Sequence, residues 1–393
     1  MNDFTVIGGG IMGLSIALEL RKQFPGSAIA LIEKEPALGL HASGRNSGVL
    51  HAGFYYSSDS LKARFTREGN LLMTAYCEEK KIPLNRCGKL VVAKDASELP
   101  GLNELLKRAH ANEVPLFLIS ENEARDIEPR VKTYQKALYS PSTSSVNPLD
   151  VLKSLEKDAS DKGIHIMTST AYIKKKKEGI LTSKGLLKSG FVINAAGLYA
   201  DKIALDYGFS QNYRILPFKG LYLYGNEAPG SLRTHIYPVP DLKYPFLGVH
   251  FTLTAEGKTK IGPTAMPAFW REQYDAYHNF KGHELLSILG RQFSLLMTEP
   301  SFKNLAVEEL RKYSKRYMVG LASQLLKNVD PLLFKKWGRP GIRAQLFDIK
   351  KNKLEMDFVI EGDAHSMHIL NAVSPAFTCA FSFAEYIVKK LLH

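Results

Sequence analysis

Asp3-Phe-Thr-Val-Ile-Gly8-Gly-Gly10-Ile-Met-Gly13 joins a short apolar strand to a glycine turn. An amphipathic segment follows from about Ile11 to Phe24, with Leu14, Ala17, Leu18 and Phe24 at roughly helical spacing. Pro25-Gly26 breaks it, and Ala28-Ile-Ala-Leu-Ile32 reads as a second strand that ends at Glu33, 20 residues after Gly13. This is the dinucleotide fingerprint in its strand–turn–helix–strand setting. Gly8 permits the tight turn, Gly10 admits a pyrophosphate to the backbone, and Gly13 lets helix and strand pack closely. The helix N-terminus offers N–H groups and a positive dipole end to the phosphates. Glu33 can accept hydrogen bonds from both ribose hydroxyls. The fingerprint alone does not separate FAD from NAD.

The remaining composition is that of an ordinary globular protein of 393 residues, 45% hydrophobic and 23% charged, long enough for two domains. Lys plus Arg exceed Asp plus Glu by 52 − 39 = 13, a surplus that favours anionic partners. The three cysteines, Cys77, Cys87 and Cys379, match no metal or CxxC spacing, which points to a reducing, cytoplasmic setting and no metal site. No signal or transit peptide is expected at the N-terminus, and no apolar run approaches the ~18 residues of a membrane span.

Two further stretches carry chemistry. His41-Ala-Ser43-Gly-Arg45-Asn46-Ser47-Gly48-Val-Leu-His51-Ala-Gly53-Phe-Tyr55-Tyr56 is rich in small residues and donors, with one guanidinium suited to phosphate or ring edges. Phe191-Val-Ile-Asn194-Ala-Ala196-Gly197-Leu-Tyr-Ala-Asp201 reads as a buried strand running into a second small-residue turn and a helix. Two such turns around one sheet exceed what an NAD domain needs.

These stretches resemble those of the FAD-dependent amino-acid oxidase and glycerol-3-phosphate dehydrogenase superfamily, and most closely its L-2-hydroxyglutarate dehydrogenases and oxidases. The resemblance rests on SGRNSGVLHAGFYY at 43–56, INAAGLYAD at 193–201, YPVPDLKYPFLGVHFT at 237–252, GPTAMPAF at 262–269, GIRAQL at 341–346 and HILNAVSPAFT at 368–378. Departures are local: Lys219-Gly-Leu-Tyr stands where the family has an Arg-Gly-Glu-Tyr type of turn, and Val373 and Phe377 replace smaller residues.

The implied fold is α/β with an α+β second domain. A Rossmann-like, discontinuous FAD-binding domain spans 1–80, 146–210 and 335–393. A substrate domain of antiparallel sheet plus helices spans 81–145 and 211–334. Short aromatic and β-branched runs at 213–225, 232–239, 246–254 and 258–263, with Lys89-Leu-Val-Val-Ala93, supply that sheet. Residues 98–113 and roughly 279–328 read as helices, and Ala376 to Leu392 as a closing helix. Lys174-Lys-Lys-Lys177 reads as a solvated hairpin loop, with contact to an anionic membrane leaflet as the alternative.

The implied cofactor is FAD, contacted by Gly8, Gly10, Gly13, Glu33, Ser43, Arg45, Asn46, Ser47, Ala196, Gly197, Asp201, Gly341 and Ser374. Ser374 is expected to cap the last helix, with Pro375 at its first position. The implied reaction is oxidation of L-2-hydroxyglutarate to 2-oxoglutarate, with electrons leaving to a membrane quinone or to oxygen. A hydroxy diacid needs cations and donors at both ends, for which Tyr55, Lys219, Tyr237, His250 and Arg343 are the candidates. His51 is the preferred base, its ordinary pKa being suited to proton removal at neutral pH. Hydrogen bonding to the cofactor or a covalent flavin link through His51 stay open. Oxidation of amino acids, amines or glycerol 3-phosphate is the alternative within the superfamily. An RNA-associated flavoprotein is a remote one, since no recognition module for nucleic acid is present. The location expected is the cytoplasm, with peripheral attachment to the cytoplasmic membrane left open.

Overall fold

A computed structural model describes residues 1–242, 247–277, 279–298 and 300–392, with backbone alone at 296, 298, 300–302, 304 and 305. The strand run expected from Phe246 therefore begins outside the described residues, as does part of the stretch 237–252. Contacts divide the chain into two units: Met1–Asn46, Pro148–Pro217 and Ile342–His393 form unit 1; Ser47–Asn147 and Phe218–Gly341 form unit 2. Residues 47–80, expected with the nucleotide-binding domain, pack instead within unit 2, where Asn70 ties the backbone of Leu50 and His51 to that of Ser142.

Unit 1 is built on a parallel sheet. Strand Asn2–Ile7 lies between Ile29–Ile32 and Gly185–Asn194, with Val6 opposite both Leu31 and Ile193. His165–Met167 extends the sheet beyond Ile29–Ile32, and Ser366–Ile369 pairs parallel with Gly185–Asn194. Apolar residues fill these strands on both faces because helices cover both. Ile11–Gln23 packs against Ala376–Lys389 and Pro148–Asp161. An antiparallel extension, Tyr172–Lys176 and Gly179–Thr182, carries the basic run. Lys174 to Lys176 thus lie on an exposed strand rather than in the turn itself.

Unit 2 is built on an eight-stranded sheet, in the order Phe334–Trp337, Leu223–Gly225, Thr259–Gly262, His250–Leu253, His235–Pro238, Lys89–Val92, Lys136–Ser140 and Phe117–Ser120. All neighbours pair antiparallel except Lys89–Val92 with His235–Pro238. Alternation along each strand gives the sheet two unlike faces. Leu90, Val92, Ile236, Phe251, Leu253, Ile261 and Leu223 form one, packed with Met318, Val319 and Ala322 of helix Lys315–Ala322. The other carries Lys89, His235, Tyr237, His250, Thr252 and Lys260, all buried.

The register sets those polar residues side by side. Lys89 pairs with His235 and Val91 with Tyr237, while Thr252 pairs with Lys260 and Ile236 with Phe251. Helix Leu99–Ala111 covers the same face through Leu102, Leu105 and Ala109, beside Val91, Tyr237, Phe54 and Tyr55.

The last helix starts later than its sequence suggests. Ala376–Lys389 has Pro375 as its N-cap, without a side-chain cap, and Ser374 is exposed.

The tightest contact in unit 1 lies between turn and helix: a methyl group on Gly13 would come within 1.9 Å of the Gly8 carbonyl oxygen. Gly13→Ala should therefore destabilise unit 1 by about 1–3 kcal/mol, the cost of overpacking a rigid contact. Thermal unfolding checks this, and an unchanged melting temperature would contradict the contact.

Candidate active site

In unit 1, strands Asn2–Ile7 and Gly185–Asn194 run parallel and end level, Ile7 opposite Asn194. Their following turns therefore leave the same carboxyl edge of the sheet, where doubly wound folds bind ligands. The turns touch. Gly8 has φ +114°, and a side chain there would lie 2.6 Å from the Ala195 carbonyl oxygen. A methyl on Gly10 would lie 2.8 Å from Ser43 Oγ, which accepts the Ile11 amide at 2.9 Å. A bare backbone cradle at a helix N-terminus is thus held open by three glycines, as a dinucleotide pyrophosphate requires. FAD fits this donor set.

The neighbouring side chains are already engaged with backbone. Glu33 Oε2 accepts the Gly9 amide at 2.7 Å and Oε1 the Glu35 amide at 3.0 Å, leaving each oxygen a further lone pair for a ribose hydroxyl. Arg45 Nε donates to the Leu40 carbonyl and Asn46 Nδ2 to the Ser43 carbonyl, at 2.7 and 2.6 Å, which fixes the loop's shape. Ser47 begins unit 2, and its hydroxyl accepts the Val49 amide.

Asn194 knits the second turn: its Nδ2 donates to the Ala200 carbonyl and to His368 Nδ1, while its Oδ1 accepts the Ala196 amide. Gly197 follows with φ +51°. Asp201 is fully buried, and its carboxylate accepts the amides of Lys202 and Ile215, so it anchors strand Tyr213–Gly220.

In unit 2, the segment Leu50–Tyr56 is clamped from two helices. Asn70 Nδ2 donates to the carbonyls of Leu50 and His51. Asn112 Nδ2 donates to those of Gly53 and Tyr56, and Arg108 to that of Tyr55. This places His51 and Tyr55 against the polar face of the eight-stranded sheet. Four expected site residues, His51, Tyr55, Tyr237 and His250, meet there.

Each histidine on this face has a defined setting. His250 stacks on Tyr237, centroids 3.6 Å apart at 19°, and its Nδ1–H donates to the Gly248 carbonyl. Nε2 of His250 therefore carries the lone pair. His235 is the reverse: Nδ1 accepts the Leu253 amide at 3.1 Å, so the proton sits on Nε2, facing Ser145 Oγ at 3.3 Å. Burial, then the charge of Lys89, holds His51, His235 and His250 well below the usual histidine range. Burial likewise pushes the Tyr55 and Tyr237 phenols well up, so both stay protonated donors.

Three members of this cluster were not singled out from the sequence: Lys89, His235 and Lys260. Lys89 is 0% exposed. Its ammonium lies 4.3 Å from the Tyr237 ring centroid, 5.1 Å from Tyr55 and 5.5 Å from Phe54, and no hydrogen-bond acceptor reaches it among the described residues. Burial brings its pKa down to about 7. Lys260 donates to the Ser47 carbonyl at 2.8 Å, lies 4.6 Å from the Tyr222 centroid, and is brought down to about 8 by burial. The available signal was a lysine inside a Val-rich or Ile-flanked strand, since a buried strand places a charge indoors only where something answers it.

The other expected residues stand elsewhere. Lys219, on strand Tyr213–Gly220, is half-buried, its pKa lowered by burial against the opposing charge of Asp275; it is not among the charges acting on the histidines. Arg343 is half-buried on strand Gly341–Asp348 and belongs to unit 1, whereas Gly341 closes unit 2.

Comparison with known proteins agrees with this chemistry. The family model described as FAD dependent oxidoreductase matches residues 3–389. The chain is 35% identical to L-2-hydroxyglutarate dehydrogenase of Indibacter alkaliphilus, covering 97% of this chain and 96% of that protein. It is 32% identical to the Escherichia coli L-2-hydroxyglutarate dehydrogenase (100% and 93%) and 35% identical to the mitochondrial one of Caenorhabditis briggsae (99% and 93%). Among solved structures, L-alpha-glycerophosphate oxidase from Mycoplasma pneumoniae with FAD bound has a TM-score of 0.79 at 22% identity, covering 100% of this chain and 95% of that one. Glycine oxidase from Geobacillus kaustophilus has a TM-score of 0.70 at 18% identity (100% and 94%). With a glycine cradle for the dinucleotide and relatives matched over their whole length, the chain belongs to the FAD-dependent oxidoreductases, in the family of the L-2-hydroxyglutarate dehydrogenases.

Proposed function

We propose that this protein oxidises L-2-hydroxyglutarate to 2-oxoglutarate. The observation that carries the proposal is the polar face of unit 2. It holds two lysines and three neutral histidines with two phenol donors, and no carboxylate acts on Lys89, His51, His235 or His250 among the described residues. Such a face suits a dianion and disfavours an amine, whose ammonium would meet like charge.

The chain's residues divide the work. The substrate loses a hydride from its carbon and a proton from its hydroxyl. When bound, FAD supplies the two-electron acceptor. His51, neutral and held by Asn70 through its backbone, takes the hydroxyl proton. His250 presents Nε2 as a second acceptor that orients the hydroxyl. Tyr55 and Tyr237 remain protonated and exclude water from the cluster. Arg343 clamps a substrate carboxylate, a task its planar guanidinium performs bidentately. The amino-acid and glycerol 3-phosphate alternatives are separated from this reading by substrate chemistry. Anaerobic L-2-hydroxyglutarate should bleach the oxidised flavin absorbance rapidly, while L-amino acids, glycine and glycerol 3-phosphate should not. Bleaching by an amino acid in preference to the diacid would overturn the assignment. His51→Ala should slow flavin reduction by about 10²–10⁴-fold with FAD content retained, and an unaltered reduction rate would remove it as base. Arg343→Ala should raise the KM for the diacid with little effect on FAD content; unchanged KM would reject the clamp.

No described helix is long and apolar enough to cross a membrane. Helix Gly282–Thr298 nevertheless exposes Leu286 (75%), Leu289, Phe293 (64%) and Met297 (70%), which recur on one side of the helix. The adjoining helix Pro300–Arg311 exposes Val307 and Leu310 beside Lys303 and Arg311. An apolar row with a basic margin suits an anionic bilayer surface, and a quinone dissolved there is the electron acceptor we favour. The protein should co-sediment with vesicles containing phosphatidylglycerol, and Leu286→Asp with Phe293→Asp should release it. Equal sedimentation of the double variant would dismiss this surface.

A further inference from the structure

Lys89 is the buried charge that the reaction as described does not use. Every other charged group on the polar face of unit 2 has an answering group: Lys260 has the Ser47 carbonyl and the charge of Glu256. Among the described residues, Lys89 has only the faces of Phe54, Tyr55 and Tyr237. Those contacts offset part of the cost of burial, but they differ from a carboxylate in one respect that matters here. A carboxylate would cancel the ammonium's field at a distance, whereas π faces leave it in place.

We propose that Lys89 is a positioning residue of the oxidation: from within its aromatic box, and without touching substrate, its ammonium keeps His51 and His250 unprotonated and therefore able to accept a proton. The geometry supports this directly. The Tyr237 ring is contacted by the Lys89 ammonium at 4.3 Å and is stacked on His250 at 3.6 Å. Tyr55, over which the same ammonium lies, follows His51 by four residues in the segment that Asn70, Arg108 and Asn112 clamp. Lys89 also sits directly opposite His235 in the sheet register.

Burial is the larger cause of the lowering, and His235 adds to it at His51 and His250, as His51 does at His250, but these imidazoles are themselves held neutral by burial. Cys87 lies two residues before Lys89, ahead of its strand, and its thiol is pushed up to about 11 by burial, so it is uncharged. Tyr55, Tyr237 and Tyr224, raised by burial, are uncharged too, and Tyr56 and Tyr222 bring phenols to the same face. Lys62 lies 6.0 Å from the Tyr56 ring. Lys260 acts on His235, but only Lys89 is a charge common to His51, His235 and His250.

The titrations interlock. An ordinary histidine begins to protonate as pH falls through 7. In that range Lys89 is itself taking up its proton. As pH falls, Lys260 and then Lys89 take up their protons, and like-charge repulsion keeps a further one off the histidines. A unit charge several ångströms away in a protein interior is worth about one to two pH units.

The test uses the FAD-loaded enzyme, ¹⁵N-labelled in histidine, with Lys89→Met and Lys89→Gln. Ring ¹⁵N shifts, assigned through His51→Ala and His250→Ala, should show both histidines titrating well below the ordinary histidine range in the wild type. Their midpoints should rise by about one to two pH units in each neutral variant. Lys89→Arg, which keeps the charge, should restore the wild-type midpoints. The acid limb of the flavin-reduction rate should move upward by the same amount in the neutral variants.

Folding is not expected to be the obstacle. Lys89 binds its proton more weakly folded than unfolded, so its charge destabilises the fold most below about pH 7. That cost fades as pH rises towards 10. Lys89→Met should therefore melt above the wild type at pH 6, with the difference shrinking by pH 9. Wild-type histidine midpoints near 6.5, or midpoints unmoved in both neutral variants, would overturn the proposal. The kinetic arm rests on the oxidation proposed above, whereas the NMR arm needs no substrate. Failure of L-2-hydroxyglutarate to bleach the flavin would therefore leave the NMR result standing on its own.

Discussion

Side chains on a β-strand point alternately to opposite faces, and in unit 2 this rule leaves no neutral position. The strand that sends Leu90 and Val92 into the core against Met318 and Val319 must send Lys89 to the other face. The same holds next door, where Ile236 is apolar core and His235 and Tyr237 are not. Because the strands pair in register, residues of one parity from five strands converge on one surface. Once helix Leu99–Ala111 covers that surface, its polar groups are indoors and each must be answered. Backbone amides and carbonyls answer His235, His250 and Lys260. Aromatic faces answer Lys89.

The consequence is electrostatic. Desolvation disfavours charge on every ionisable group of the face, and the groups differ only in how much of that penalty their neighbours return. The histidines are left as neutral bases and the tyrosines as neutral donors, while the lysines titrate near neutrality. In the reading proposed above, an incoming carboxylate supplies the countercharge that the fold withholds.

In unit 1 the constraint is steric. The parallel strands Asn2–Ile7 and Gly185–Asn194 end level, so their turns crowd one another, and only glycine at position 8 leaves room for the Ala195 carbonyl. Gly13 does the same for the first helix. The crowding that forbids side chains is also what leaves the amides bare for a pyrophosphate.

Much of this was legible from local sequence. The fingerprint from Asp3 to Gly13, the acid at Glu33, and the strand-and-turn at Asn194 to Gly197 each depend on neighbours in the chain, where backbone sterics and helix dipoles act over a few residues. His51, Tyr55, Tyr237 and His250 were named as candidates from the sequence, and the fold gathers them on one buried face. That Asp201 holds the amides of Lys202 and Ile215 was not legible, because an acid after a glycine turn does not show in sequence which amides it meets. Lys89 and Lys260 left only the hint of a lysine within an apolar strand, and His235 left none, so all three were passed over. The sequence by itself determined where strands, turns and helices form, because those choices are local. Only the tertiary structure decided which charges are buried together, because strand register brings residues as distant in the chain as Lys89 and Lys260, 171 positions apart, onto one sheet face, and burial depends on what covers them.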